Sequence, residues 1–315
     1  MLSFLLIVVG CGLLYLGAEW LVTGATEIAD RFRIPRSIAG LTLVALGTSA
    51  PELFVNLLAA AAGHTPFAMS NIAGSNLANI CLGLGICSVI ATVHIHWRVF
   101  RIDLAFLVLT SVIVVAALQM KPIHHLPYNT AIVFSAMLLI YFVTLVRRGQ
   151  ADEDVAPDDG QAAHNPVRGI LYMLGGAVLL YGGAELVLRM SAQFAKSLNV
   201  PEAIIGLTLV AAGTSIPDIT ASIVAARRKE NDIAVGNILG SNVSNIAFVL
   251  NGTLLMAGTG LTTNHLGAVD FFAVLAFSIL IVVVALLKSQ LPALSGFCLI
   301  MIYASFICWR ILQVV

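Results

Sequence analysis

Charge is what this sequence has least of. Only 10% of its 315 residues are charged, 16 basic and 16 acidic, where a soluble chain carries about a quarter. Between Glu52 and Arg98 there is no charged residue at all. A zero formal net charge with so few basic residues leaves no basic surface for a nucleic acid. Cysteine is scarce too. Cys11, Cys81, Cys87, Cys298 and Cys308 all fall in apolar stretches and none forms C-x-x-C, which excludes a secreted disulfide scaffold and leaves them as small apolar filler. No basic stretch precedes the first apolar run, Leu2–Leu16, and the run continues past Glu19 to Leu21 and Val22. It therefore reads as a first membrane span and not as a signal peptide.

What the chain has instead is apolar length: 59% of its residues are hydrophobic, and about 20 such residues in a row cross a bilayer as a helix. The pattern predicts an all-α polytopic membrane protein with ten helices, at 2–24, 37–63, 67–93, 102–120, 127–146, 168–190, 202–226, 233–257, 268–287 and 291–313. One polar stretch stands apart, with Asp152, Glu153, Asp154, Asp158 and Asp159 among Gly, Pro and Gln. It reads as an exposed acidic linker, dividing the chain into a first unit (1–146), a linker (147–167) and a second unit (168–315).

The two units repeat. Gly40-LTLVALGTSAP-Glu52 matches Gly206-LTLVAAGTSIP-Asp218 at an offset of 166 residues. The same offset carries Gly17-Ala18-Glu19 onto Gly183-Ala184-Glu185, Pro35 onto Pro201, and Ser70-NIAGSNLAN onto Gly236-NILGSNVSN. Five spans per unit is an odd number, so the second copy enters the membrane from the opposite side, an inverted repeat of the kind many secondary transporters use. Twelve Lys and Arg fall in loops on the side reached after the first span and four on the other. The positive-inside rule makes the first side cytoplasmic and puts both termini outside a plasma (inner) membrane.

Two carboxylates lie in mid-span, Glu52 and Asp218, each the lone charge of its apolar segment. A carboxylate at bilayer depth costs about 2.5–3.5 kcal/mol on insertion scales, so a symmetric pair demands a purpose. Each follows Gly-Thr-Ser-x-Pro: Gly47, Thr48, Ser49, Pro51 and Gly213, Thr214, Ser215, Pro217. Proline removes a backbone donor within a helix, so carbonyls near Ala45–Thr48 and Ala211–Thr214 are expected to turn elsewhere. Carbonyls, hydroxyls and a carboxylate make an all-oxygen shell, which suits a hard cation such as Ca2+ with roughly 6–8 oxygens. The third and eighth spans add Ser75 and Asn79, and Ser241 and Asn245, four apart and so on one helical face. Gly74 and Gly240 beside them allow close backbone approach. Glu19 and Glu185 sit near span ends, where snorkelling to the interface is the expectation. Asp103 and Asp270 read as helix openers matched to the N-terminal dipole, and the histidines as surface residues.

The duplicated G-T-S-x-P-[E/D] and G-S-N-x-x-N segments resemble the alpha repeats of the sodium/calcium exchanger family, within the cation/calcium antiporter superfamily. The resemblance covers both halves, fits a prokaryotic-type member, and implies alternating-access exchange of Na+ for Ca2+ at four clustered sites. By that resemblance Glu52 and Asp218 are the shared carboxylates, and Thr48 and Thr214 offer backbone carbonyls to Ca2+. Ser49, Ser75, Ser215 and Ser241, with the carbonyls of Ala45 and Ala211, build the outer and inner Na+ sites. Asn79 and Asn245 line the middle one. The first and sixth helices are implied to slide against the rest. The sequence departs from the family pattern at Asp218, where many prokaryotic members carry Glu, and at Ser70, where Gly is expected. Asn245 stands where the potassium-dependent branch has Asp, which argues against obligatory K+ co-transport. The expected partners are Ca2+, Na+ and the lipid bilayer, with no cofactor and no enzymatic activity. An intramembrane hydrolase using two acids around a water is disfavoured by the repetition of whole five-helix units, and a channel by the absence of a pore-lining ring. A Ca2+/H+ antiporter using the same two acids is the alternative.

Overall fold

The computed structural model describes residues 2–120, 124–151, 166–197 and 213–313. Ten helices follow in order among them: α1 (Leu2–Phe32), α2 (Arg36–Ala61), α3 (Thr65–Ile90), α4 (Trp97–Gln119), α5 (Thr130–Ala151), α6 (Pro166–Ser197), α7 (Ile216–Arg227), α8 (Asn231–Ala257), α9 (His265–Leu287) and α10 (Ala293–Leu312). Nine of the ten are long and apolar enough to cross a membrane; α7 is the short one. The first part of the expected seventh span, the acidic residues of the linker and Ala211 lie outside the described residues.

Helices α2, α3, α7 and α8 form the centre. Along α8, 94% of the span is buried and along α3 78%, against 22–33% for α1, α5, α6, α9 and α10. The inner helices are correspondingly rich in small and amide residues, and the outer ones present Leu, Ile, Val and Phe outward. Three inner segments run with π-helical turns: Gly40–Val44, Asn79–Leu84 and Asn245–Leu250. Such insertions locally rotate the faces of a helix and recur at functional sites. Two of these begin at the paired asparagines Asn79 and Asn245.

Helices α1 and α6 lie antiparallel and meet chiefly each other. Gly10, Gly17 and Gly24 face Gly183, Gly176 and Gly169, seven residues apart on both helices. A Cβ on Gly17 would stand 2.6 Å from the Leu180 amide nitrogen and 2.8 Å from the Gly176 carbonyl oxygen. With backbone against backbone, glycine is the residue that fits. The pair runs beyond the expected ends, to Phe32 and Ser197. There its charges find partners: Glu27 pairs with Arg168 at 3.4 Å, and Asp30 with Arg36 of α2 at 2.9 Å.

Two short antiparallel ribbons join the halves. Val93–His94 (β1) pairs with Gln290–Leu291 (β4), and His125–Leu126 (β2) with Leu261–Thr262 (β3). Strands β1 and β3 follow the equivalent helices α3 and α8, and β2 and β4 follow α4 and α9. Exchanging the halves therefore exchanges the ribbons. Asn231 at the head of α8 clamps the first ribbon: its Oδ1 accepts from the His94 amide and its Nδ2 donates to the His94 carbonyl, each at 2.8 Å.

The structure corrects the reading of two acids. Asp103 and Asp270 do not open helices: neither lies in the first turn of α4 or α9, and both are buried. Asp103 is fully buried, accepting from Arg148 at 2.9 Å and from the Tyr141 hydroxyl at 3.0 Å. Asp270 is 4% exposed and accepts from Arg310 at 2.8 Å. Each ties the fourth helix of its half to the fifth. Glu19 does not snorkel freely either; it pairs with Arg228 at the end of α7, whereas Glu185 pairs along its own helix with Arg189.

Candidate functional site

The two acids enter the centre from unlike local structures. Glu52 lies in continuous helix, with Pro51 inside Ala45–Ala61. Asp218 lies in the first turn of α7, just after a turn at Thr214 and Ser215. There the partial positive charge of a helix N-terminus favours a carboxylate. Both are closed off from solvent, Glu52 at 1% exposure and Asp218 at 0%.

Each acid takes a hydrogen bond from the other half. Asn79 Nδ2 on α3 donates to Asp218 Oδ2 at 2.7 Å, and Ser241 Oγ on α8 donates to Oδ1 at 3.0 Å. Ser215 Oγ donates to Glu52 Oε1 at 3.4 Å. The Ser75 and Thr214 hydroxyls share a hydrogen bond across the halves at 3.0 Å. Of the predicted residues, the structure thus gathers Ser75, Asn79, Thr214, Ser215, Asp218, Ser241 and Glu52 by direct contacts. Thr48 joins them through Asn237, 3.3 Å from its Oγ1 to Asn237 Oδ1, and Asn237 in turn donates to the Asp218 carbonyl at 2.9 Å. Ser49 and Asn245 are buried at 3% and 1%, and Ala45 is fully buried with its carbonyl taking the Thr48 hydroxyl at 3.2 Å.

Asp218 has both oxygens served; the Glu52 side does not. Glu52 Oε2, Ser49 Oγ, Asn79 Oδ1, and Asn245 Oδ1 and Nδ2 are buried without a hydrogen-bond partner. A buried polar group left unpaired costs about 1–3 kcal/mol, and here four oxygens with that cost fall on predicted ligands. Among the described residues, no three His, Cys, Asp or Glu side chains gather as a metal site. A cation held here would take carboxylate, hydroxyl, amide and carbonyl oxygens, the donor set of a hard, weakly polarisable ion.

Sequence reasoning passed over two further pairs. Asn71 Oδ1 accepts from Thr214 Oγ1 at 3.2 Å, and Asn237, its repeat equivalent, partners Thr48 in the same way. Asn56 Nδ2 donates to the Glu52 carbonyl at 2.7 Å, and Ser222, again its equivalent, donates to the Asp218 carbonyl at 2.9 Å. Both pairs obey the 166-residue offset, and a polar residue repeating inside an apolar span was the signal that could have found them.

Comparisons with known proteins bear on the family and the fold. The profile of the family described as "Sodium/calcium exchanger protein" matches residues 2–147 and 168–312. The chain is similar to inner membrane protein YrbG of Escherichia coli (strain K12), 32% identical over 255 residues, covering 79% of this chain and 78% of that one. It is 30% identical over 268 residues to the putative antiporter CaxA of Alkalimonas amylolytica, covering 82% of each. Among solved structures, the sodium-calcium exchanger NCX_Mj soaked with zero Na+ and Ca2+ superposes with a TM-score of 0.83 at 25% identity, covering 98% of this chain and 99% of that one.

Proposed function

This chain belongs to the sodium/calcium exchanger family, and from that premise we propose that it exchanges Na+ for Ca2+ by alternating access, using Glu52 and Asp218 as the shared carboxylates. By its family the chain is an integral membrane protein and a cation/calcium antiporter. The observation that carries Na+-for-Ca2+ exchange at this acid pair is the set of buried, unpaired oxygens on Glu52, Ser49, Asn79 and Asn245 beside the fully bonded Asp218.

Charge explains the exchange. Two ionised carboxylates carry two negative charges, which one Ca2+ or two Na+ neutralise. Either load makes the centre nearly neutral, whereas the bare pair is costly to enclose away from water. A loaded site therefore crosses and a bare one does not, so the transporter exchanges and does not leak. The hydroxyls of Ser49, Ser75, Ser215 and Ser241, with the carbonyls of Ala45 and Ala211, are oxygens beyond those the family resemblance gives to Ca2+, and they favour Na+ as the coupling ion.

The ribbons support an inverted repeat. A ribbon closes only between loops on one side of a membrane. Strands β2 and β3 follow α4 and α8, an even number of crossings apart once α7 counts as one. The repeat-equivalent strands β1 and β3 follow α3 and α8, five crossings apart and hence on opposite sides.

The test is radioactive Ca2+ uptake into proteoliposomes loaded with Na+, or with a pH gradient and no Na+. The Na+ gradient should drive uptake, and Glu52→Ala should abolish it. Uptake driven by the pH gradient alone would make the chain a Ca2+/H+ antiporter, and full flux in Glu52→Ala would remove the carboxylate pair from the mechanism.

A further inference from the structure

Asn76 and Asn242 lie one residue beyond Ser75 and Ser241 and are related by the same 166-residue offset. Both are 0% exposed. In each, neither the amide oxygen nor the amide nitrogen has a hydrogen-bond partner. Asn76 sits in the α-helical part of α3, three residues before Asn79, and Asn242 sits three residues before Asn245 on α8. Residues three apart on a helix are side-by-side neighbours, with Cβ atoms about 5–6 Å apart. Each orphaned carboxamide therefore adjoins one whose oxygen is also unpaired, Asn79 Oδ1 or Asn245 Oδ1.

Helix packing alone does not account for this arrangement. A buried asparagine that holds two helices together spends its amide on a partner, as Asn237 does on the Asp218 carbonyl and Ser222, at 2.9 and 2.8 Å. Asn76 and Asn242 spend nothing. Two symmetric positions each bear the penalty twice, at about 1–3 kcal/mol per group. Leucine has the same branched shape and would relieve it, so the fold by itself gives no reason for the amide.

We propose that Asn76 and Asn242 are further ligands of the transported monovalent cation, completing with Asn79 and Asn245 a ring of four carboxamide oxygens beside the acid pair. The inference rests on the exchanger reading above. A carboxamide oxygen solvates a cation without adding charge. The ring therefore suits a singly charged ion, while the two carboxylates remain the ligands that a doubly charged one requires.

Thermal unfolding of the purified full-length protein tests this, with Na+, with Ca2+, and with neither ion. A bound ion raises the melting temperature by an amount that grows with the logarithm of its concentration over its Kd. Asn76→Leu and Asn242→Leu should melt at or above wild type without ions, since an unpaired polar group has gone. Each should need about tenfold more Na+ to reach the same rise above its own ion-free melting temperature, the equivalent of one lost hydrogen-bond-strength contact, with the Ca2+ shift retained. Asn76→Asp and Asn242→Asp, which keep the oxygen and add a charge that the cation offsets, should enlarge the ion-induced shift, and they serve if the leucine variants do not fold. An unchanged Na+ requirement in the leucine variants, or no enlargement in the aspartate ones, overturns the proposal while the exchanger reading survives. A wild type stabilised by neither ion overturns both.

Discussion

Replacing Gly17 by alanine adds one methyl group at the closest approach between α1 and α6. That methyl would lie 2.6 Å from Leu180 N and 2.8 Å from Gly176 O. Ordinary contact begins at 3.4 Å, so the helices must separate there by some 0.6–0.8 Å. Neither clashing atom is the end of a flexible side chain; both are backbone of a regular helix. Overpacking of this kind costs about 1–3 kcal/mol, and the better helix propensity of alanine returns up to about 1. Mid-range values, about 2 lost and about 1 returned, leave a net loss of about 1 kcal/mol, which lowers the melting temperature by roughly 2 °C in a chain of this size. The control is internal: Gly12 and Gly182 lie on the same two helices with no atom within 4 Å of a built Cβ. Gly12→Ala and Gly182→Ala should melt at or slightly above wild type, because only the propensity gain remains. Trp20 stacks edge-on against Tyr172 across the interface, with ring centroids 5.6 Å apart. With Trp97 and Trp309 changed to Phe, its fluorescence follows this helix pair directly. Equal melting of Gly17→Ala and Gly12→Ala would refute the claim that backbone contact sets the spacing.

Arg310→Met strips the partner from the buried Asp270 carboxylate and should destabilise by about 3–5 kcal/mol, while Asp270→Leu combined with Arg310→Met should recover much of that loss; thermal unfolding of the single and double variants reads the difference. Asn231→Ala removes both bonds that hold His94 to the head of α8, worth about 0.5–1.5 kcal/mol each. The amides of His94 and Ile95 should then exchange with solvent several-fold faster, while those of the second ribbon, around His125 and Leu126, stay as they were.

Apolar length made most of the helices legible, and the 166-residue repeat made the acid pair and its flanking hydroxyls legible. The boundaries were less so. Helix α1 was expected to stop near residue 24 and runs to Phe32, because Glu27 and Asp30 are polar along the chain yet paired across it with Arg168 and Arg36. The same blindness to distant partners made Asp103 and Asp270 look like helix openers. Their arginines lie 45 and 40 residues further on. One clue was nevertheless present: Tyr141 and Arg148, and again Tyr303 and Arg310, stand seven apart on the last helix of each half. The π-helical turns left no comparable trace, since one extra residue per turn barely disturbs the apolar pattern that defines a span.

The two copies of Gly-Thr-Ser-x-Pro-acid show where local sequence stops deciding structure. Nearly identical residues form continuous helix around Thr48 and Ser49 but a turn at Thr214 and Ser215. Proline cannot be the cause, since both copies have it. Thr48 Oγ1 bonds back to the Val44 carbonyl at 3.0 Å, within its own helix. Across the halves the two threonines bond alike, Thr48 Oγ1 to Asn237 at 3.3 Å and Thr214 Oγ1 to Asn71 at 3.2 Å, while Thr214 also shares a hydrogen bond with Ser75 and Ser215 reaches Glu52. Each such bond is worth about 1 kcal/mol. Like residues thus end in unlike local structures, and the added partners of the second copy, Ser75 and Glu52, belong to the first half of the chain, out of reach of any local reading.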